Sequence, residues 1–163
     1  MNKFKAIIVD FDGTLVDENF CLSPKVKNAV SNLVKKGLIF SIATGRPYQG
    51  IVKEICKELE LKSPQIVNGG AKIIDPKTEE IIWVEYFPSK TAKDLIAYFL
   101  KNDFDFAIEG DESVFTIKGI LKNYGPNIIF KDINQLNYDK ISKMVLYNIS
   151  SIGDPQKIEK ELE

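Results

Sequence analysis

Histidine is absent from the 163 residues. That removes Ser-His-Asp and Cys-His catalysis, phosphohistidine chemistry and histidine-ligated metal sites. Cysteine is nearly as scarce. Cys21 and Cys56 lack CxxC or metal-site spacing, so they read as reduced, buried thiols and not as a disulfide framework. No apolar run approaches the roughly 18 residues that a membrane span requires. A dominant charge sign is missing too. The 22 basic and 23 acidic residues nearly cancel to −1, which leaves no basic face for nucleic acid. Met1 to Lys5 leads straight into a strand-like run without the layout of a secretory signal, so the cytoplasm is the default location. Repeats and low-complexity tracts are also lacking. Catalysis, if there is any, must rest on carboxylates, hydroxyls, lysine or a metal held by oxygen.

What is present suits one sizeable domain or two small ones. Ala6-Ile7-Ile8-Val9 is a continuous apolar run ending at Asp10, the pattern of a strand buried on both faces. Ser23-Pro24 starts a helix, serine as the cap and proline at the first helical position. Val26, Ala29, Val30, Leu33 and Val34 follow at helical spacing, and Gly37 closes the helix. Leu38 to Ala43 is a second buried strand, ending at Thr44-Gly45-Arg46. Pro47 opens another helix, with Ile51, Val52, Ile55 and Leu59 on one face. Gln65-Ile66-Val67 is a third strand, ending in Asn68-Gly69-Gly70. This alternation predicts an α/β fold with a parallel sheet and right-handed crossovers.

The pattern then changes to α+β. Ile73-Ile74 and Ile81-Ile82-Trp83 flank the turn Asp75-Pro76-Lys77-Thr78 and predict a hairpin. A helix follows Ser89, with Ala92, Leu95, Ile96, Phe99 and Leu100 inward. Phe104 to Ile108 and Val114 to Ile117 predict an antiparallel pair. Asn127 to Phe130 and Lys143 to Ile149 are further strands, and Asp154-Pro155 caps a last helix. The domain boundary falls near Phe87-Pro88, giving domains 1–87 and 88–163.

The chemistry concentrates at Asp10-Phe11-Asp12-Gly13-Thr14. Ligands of open α/β sheets bind beyond the carboxyl ends of strands. Residues two apart on an extended segment face the same way, so both carboxylates point into one site. Gly13 permits a tight turn that exposes amides to an anion. Two carboxylates this close call for a divalent cation, and oxygen ligands favour Mg²⁺. The alternative is a loop with two solvated aspartates.

Asp-x-Asp-Gly-Thr after an apolar strand resembles the first motif of the haloacid dehalogenase superfamily. Ile42-Ala43-Thr44-Gly45-Arg46-Pro47 looks like its second motif. Asn68-Gly69-Gly70 resembles the segment of the Cof-type subgroup after which a type-IIB α/β cap is inserted. The resemblance implies an incomplete Rossmann-like core over residues 1–87 and a partial α+β cap over 88–163. It implies a phosphatase of small phosphate esters, sugar phosphates being the commonest class. Asp10 would be the nucleophile and form an aspartyl-phosphate. Asp12 would act as acid, then base. Mg²⁺ would be held by the Asp10 carboxylate and the Asp12 backbone carbonyl. Thr44, Gly45 and Gly13 would hold the phosphoryl group, with the following helix N-terminus favouring an anion. Arg46 could contact substrate or pair with an acid. Asn68 is a candidate substrate contact, and a plain turn there is the alternative.

Two expected parts of that family are missing: a lysine before a helix, and a Gly-Asp-x-x-x-Asp segment completing the metal shell. Gly153-Asp154 runs at once into Pro155 and reads as a helix start. Lys140 and Lys143 precede a strand. The chain thus reads as ending inside its cap, with Ala6 to Val9 left as a sheet edge. Such an edge predicts pairing with another copy, or with a complementing C-terminal half. The rival class is a non-catalytic remnant that binds phosphate or Mg²⁺, or serves as an interaction module. A receiver domain also ends a strand in aspartate, but Thr44-Gly45-Arg46 and the second domain speak against it. Asn148-Ile149-Ser150 matches a glycosylation acceptor only by frequency. Trp83, Tyr86 and Phe87 read as packing groups. Asp103, Asp105, Glu109, Asp111 and Glu112 read first as a solvated acidic edge.

Overall fold

A computed structural model defines the fold, with residues 4–111, 113–116, 130–147 and 160 described. Among these, the residues through Glu85 form one compact unit and those from Tyr86 form another.

The first unit runs β1 (Ala6–Asp10), α1 (Pro24–Lys35), β2 (Ile39–Ala43), α2 (Ile51–Glu58), β3 (Gln65–Val67), β4 (Lys72–Ile74) and β5 (Ile81–Val84). The sheet order is β1-β2-β3-β4-β5. β1, β2 and β3 are parallel, and β4 and β5 extend the sheet as an antiparallel hairpin. α1 starts as the sequence predicts. The Ser23 hydroxyl accepts from the Val26 amide at 3.2 Å, and Pro24 occupies the first turn. Val30 of α1 and Val52 and Ile55 of α2 meet Phe40 and Ile42 of β2 and Val67 of β3 in one core. Two successive right-handed crossovers running the same way put both helices on one side of the sheet.

That one-sidedness corrects the reading of β1 as buried on both faces. Ile7 and Val9 pack on the core, while Ala6, Ile8 and Asp10 are exposed. Ile8 is 59% exposed and Ile39, near it on the same face, 50%. An apolar run records that both faces are apolar; it does not record whether anything covers the second. The second helix is also corrected. Pro47 does not open it: α2 begins at Ile51, after Gly50 at φ 78°, with no side-chain cap. Residues 45–50 form bends and turns instead, so no helix N-terminus starts at Thr44-Gly45. Of the two free thiols, Cys56 is buried and Cys21 exposed, against the expectation that both are buried. Burial pushes the Cys56 thiol up to about 12. Trp83 on β5 is 46% exposed and is not a core packing group.

The second unit contains α3 (Ser89–Lys101), β6 (Asp105–Glu109), β7 (Val114–Thr116), β8 (Phe130–Asp132) and β9 (Lys143–Tyr147), in sheet order β8-β7-β6-β9. Ala92, Ile96 and Phe99 of α3 pack on Phe106, Ile108 and Phe115. The acidic cluster is not a uniform solvated edge. Glu109 is buried, and its carboxylate faces the Lys143 ammonium 3.4 Å away, as the β6–β9 register requires. Asp111 accepts from the Tyr86 hydroxyl at 2.6 Å and lies 3.3 Å from the Lys140 ammonium. Burial, with the Asp111 bond behind it, pushes the Tyr86 phenol up to about 12. Lys140 and Lys143 are thus both ion-paired inside this unit. Residues 117, 127–129, 148–150 and 153–155, and Glu112, lie outside the described set. So does the predicted last helix, apart from Lys160, which is helical.

Candidate active site at the carboxyl ends of β1 and β2

Register places the site. Asp10 on β1 lies opposite Ala43 on β2, so Thr44 is the next residue along at the same sheet end. Adjacent parallel strands run about 4.8 Å apart, which brings an aspartate and a threonine hydroxyl to one locality.

The loop after β1 is built around Phe11. Its side chain is fully buried while Asp10 and Asp12 on either side are exposed. Its carbonyl accepts from the Leu15 and Val16 amides at 3.0 and 3.1 Å, and the Gly13 amide donates to the Val16 carbonyl at 3.0 Å. Gly13 sits at φ 69°, a left-handed turn that a side chain would strain. The Phe11 amide donates to Asp10 Oδ1 at 2.8 Å, which fixes that carboxylate against its own loop.

The tips of β2 and β3 are laced together by backbone. The Thr44 amide donates to the Ile66 carbonyl at 3.0 Å. The Gly69 amide donates to the Thr44 carbonyl at 3.0 Å, and the Asn68 amide to the Arg46 carbonyl at 2.9 Å. Asn68 adopts φ 55°, a conformation asparagine tolerates better than most residues, and its side chain is buried. Thr44 is also buried, and its hydroxyl oxygen accepts from the Arg46 amide at 3.1 Å.

Arg46 then reaches back to the first loop. Its Nε donates to Asp12 Oδ1 at 2.9 Å and to Oδ2 at 2.8 Å. Its guanidinium carbon lies 4.6 Å from the centre of the Phe20 ring. Phe20 is held at φ 59° in a loop organised by Asp17, whose Oδ1 accepts from the Asn19 and Cys21 amides at 2.9 and 2.8 Å. Of the two roles left open for Arg46, this arrangement has the acid pair. Arg46 is the single arginine of the chain; every other basic residue is lysine. Phe20 was not among the residues the sequence pointed to. It stands in an irregular loop without periodicity, and only the folded loop shows it beneath Arg46.

Asp10, Asp12, Gly13, Thr44, Gly45, Arg46 and Asn68 therefore all lie at the strand-carboxyl end of the first unit's parallel strands. The donor set bears on a cation. No group of three or more His, Cys, Asp or Glu able to hold a metal occurs among the described residues. Mg²⁺ seldom sits in an all-protein cage and is commonly held by one or two carboxylates completed by water and ligand oxygens. The exposed Asp10 carboxylate suits such a holding, while the Asp12 carboxylate is taken by Arg46 and leaves that residue only its backbone carbonyl to offer.

A family model described as haloacid dehalogenase-like hydrolase matches residues 7–163. A haloacid dehalogenase-like hydrolase from Bacteroides thetaiotaomicron has a similar structure, with TM-score 0.81 and 20% identity, over 98% of this chain and 63% of its own. A haloacid dehalogenase subclass IIB sugar phosphatase is similar at TM-score 0.72 and 22% identity, over 97% and 62%. A Buchnera aphidicola (subspecies Baizongia pistaciae) protein, provisionally named a phosphatase, is 38% identical over 93 residues, which is 57% of this chain and 34% of that protein. The chain therefore spans under two thirds of these relatives' lengths.

Proposed function

Since this chain belongs to the haloacid dehalogenase-like hydrolases, we propose that it carries the nucleophile half of a Mg²⁺-dependent phosphatase of small phosphate esters, sugar phosphates first among them. The observation that carries this reading is the β1–β2 register, which sets Asp10 beside the Ala43-Thr44 tip at one sheet end. The sugar-phosphate preference draws on the similar subclass IIB enzyme. Residues 1–87 are the N-terminal part of the Rossmann-like core in this reading, and 88–163 the cap.

The chemistry divides into two displacements. A carboxylate oxygen of Asp10 attacks phosphorus, and the ester P–O bond breaks. Asp12 protonates the departing alkoxide. Asp12 then takes a proton from water, whose oxygen attacks the same phosphorus, freeing orthophosphate and restoring the Asp10 carboxylate. The Thr44 hydroxyl and the Gly45 amide hold the phosphoryl oxygens, and Asn68 stands at the substrate side; the Gly13 amide, expected to join them, is taken by the Val16 carbonyl at 3.0 Å, so Gly13 serves the turn instead. The Asp10 carboxylate and the Asp12 backbone carbonyl would hold Mg²⁺, which when bound offsets phosphoryl charge.

The test is hydrolysis of p-nitrophenyl phosphate and of a sugar-phosphate panel by the purified chain with Mg²⁺. Activity is expected to disappear with excess EDTA and return when Mg²⁺ is restored. Turnover indifferent to EDTA would refute the metal dependence.

One observation favours a second reading, of assembly. Among the described residues β1 has a single strand neighbour, and Phe4, Ile8 and Ile39 are exposed at 66, 59 and 50%. An apolar strand edge of this kind pairs with other chains. The edge takes a second copy of the chain or a complementing C-terminal half, and without such a partner the chain acts as a phosphate- or Mg²⁺-binding module. Light scattering should show mass rising with concentration for the chain alone, and Ile8→Lys should suppress it. A monomer at all concentrations excludes self-pairing.

A further inference from the structure

Asp12 cannot serve as proposed in the arrangement it occupies. Both of its oxygens accept from Arg46 Nε, at 2.9 and 2.8 Å. An oxygen that is to exchange hydrogen with an ester oxygen, and later with water, must leave that contact at some step. Arg46 is also bonded, through its amide, to the hydroxyl of Thr44. One residue thus touches the acid with its side chain and the phosphoryl-binding residue with its backbone.

A phosphoryl group at Asp10 and Thr44 would compete directly for this guanidinium. It carries more negative charge than one carboxylate, and its oxygens match the planar fork of arginine, which a lysine ammonium cannot do. The side-chain exposures fit an exchange in which the arginine stays in place: Arg46 is 17% exposed and Asp12 47%. Phe20 provides the fixed floor, its ring 4.6 Å from the guanidinium carbon. Changing partners then needs only the end of one side chain to turn over a flat aromatic surface.

We infer that Arg46 is an exchangeable latch: it closes on the Asp12 carboxylate while the site is empty and passes to the phosphoryl oxyanion when substrate arrives, freeing Asp12 to take a proton from solvent, which it then gives to the departing alkoxide, only once a phosphoryl group is in place. This rests on the reading of Asp10 and Thr44 as the phosphoryl site, and it adds how that site withholds its acid until then.

The single arginine gives a clean probe. In ¹⁵N-labelled chain the Arg46 Nε–H is the only arginine side-chain correlation of its kind. It is expected to be a persistent signal in the free chain and to be lost to solvent exchange in Asp12→Ala, which leaves no side-chain oxygen to accept it. Persistence in that variant overturns the pairing. Inorganic phosphate, added with Mg²⁺ present throughout, should move the Arg46 Nε–H and the Gly45 backbone amide together, with one half-saturation point. A Gly45 shift with an unmoved Arg46 Nε–H would leave the phosphoryl site standing and overturn the latch. No shift at either position would remove the phosphoryl site, and the latch with it.

Discussion

Asp10→Asn should lower kcat for p-nitrophenyl phosphate by at least ~10³-fold while leaving the fold unchanged, since losing a nucleophile removes the reaction path itself. Asparagine has the shape of aspartate and keeps an oxygen to accept the Phe11 amide, the one bond that Asp10 Oδ1 receives from its own loop. Asp10 is exposed at a strand tip, so no core contact is lost. Asp12→Asn should behave differently. p-Nitrophenolate leaves readily without a donated proton, so the first displacement survives, while attack of water on the aspartyl-phosphate loses its base. Phosphorylated chain should then build up and be visible by intact mass. Equal steady-state rates for wild type and Asp10→Asn would end the phosphatase reading of this chain.

The placement of Asp10 and Thr44 is legible in the sequence. Asp10 and Thr44 each end an apolar strand, and consecutive strands of a βαβαβ run pair in parallel, so a shared sheet end followed from topology. The structure has that register, Asp10 opposite Ala43. Helix α1 was legible down to its cap, because Ser23-Pro24 is a local signal with a local cause. What was not legible depends on distant groups. Nothing in Ala6 to Val9 tells whether a layer lies over its second face, and Ile8 stands exposed there. Pro47 is compatible with a helix start, yet tertiary demands at the β2 tip hold residues 45–50 in turns and delay α2 to Ile51. Glu109 reads as solvent-facing among its acidic neighbours, but the β6–β9 register sets Lys143 opposite it and allows burial as a pair. The contact of Arg46 with Asp12 joins residues from two loops, and only their folding together decides between an acid partner and a substrate partner.

Phe11→Ala should destabilise the chain by about 3–5 kcal/mol, the range for emptying a fully buried phenylalanine site. The interest of the position lies in what flanks it. The ring anchors a loop whose neighbours, Asp10 and Asp12, are both exposed and are the two carboxylates of the proposed chemistry. The Phe11 carbonyl also closes the turn by accepting from Leu15 and Val16. Removing the ring therefore loosens the two carboxylates relative to each other as well as weakening the core. Ile42→Ala on β2 gives the comparison. Ile42 is equally buried in the same core and costs roughly 2–5 kcal/mol when truncated, but its side chain does not flank either carboxylate. Under conditions where both variants remain folded, Phe11→Ala should lose kcat beyond its loss of folded protein, and Ile42→Ala should not. Small displacements of positioned groups are costly in rate, since misplacement by about 1 Å can reduce catalysis about 10²-fold. The measurement is kcat per folded molecule, with the folded fraction from denaturant titration. If the two variants lose activity only in proportion to unfolding, Phe11 is a core residue like any other, and the geometry of the nucleophile loop does not depend on its anchor.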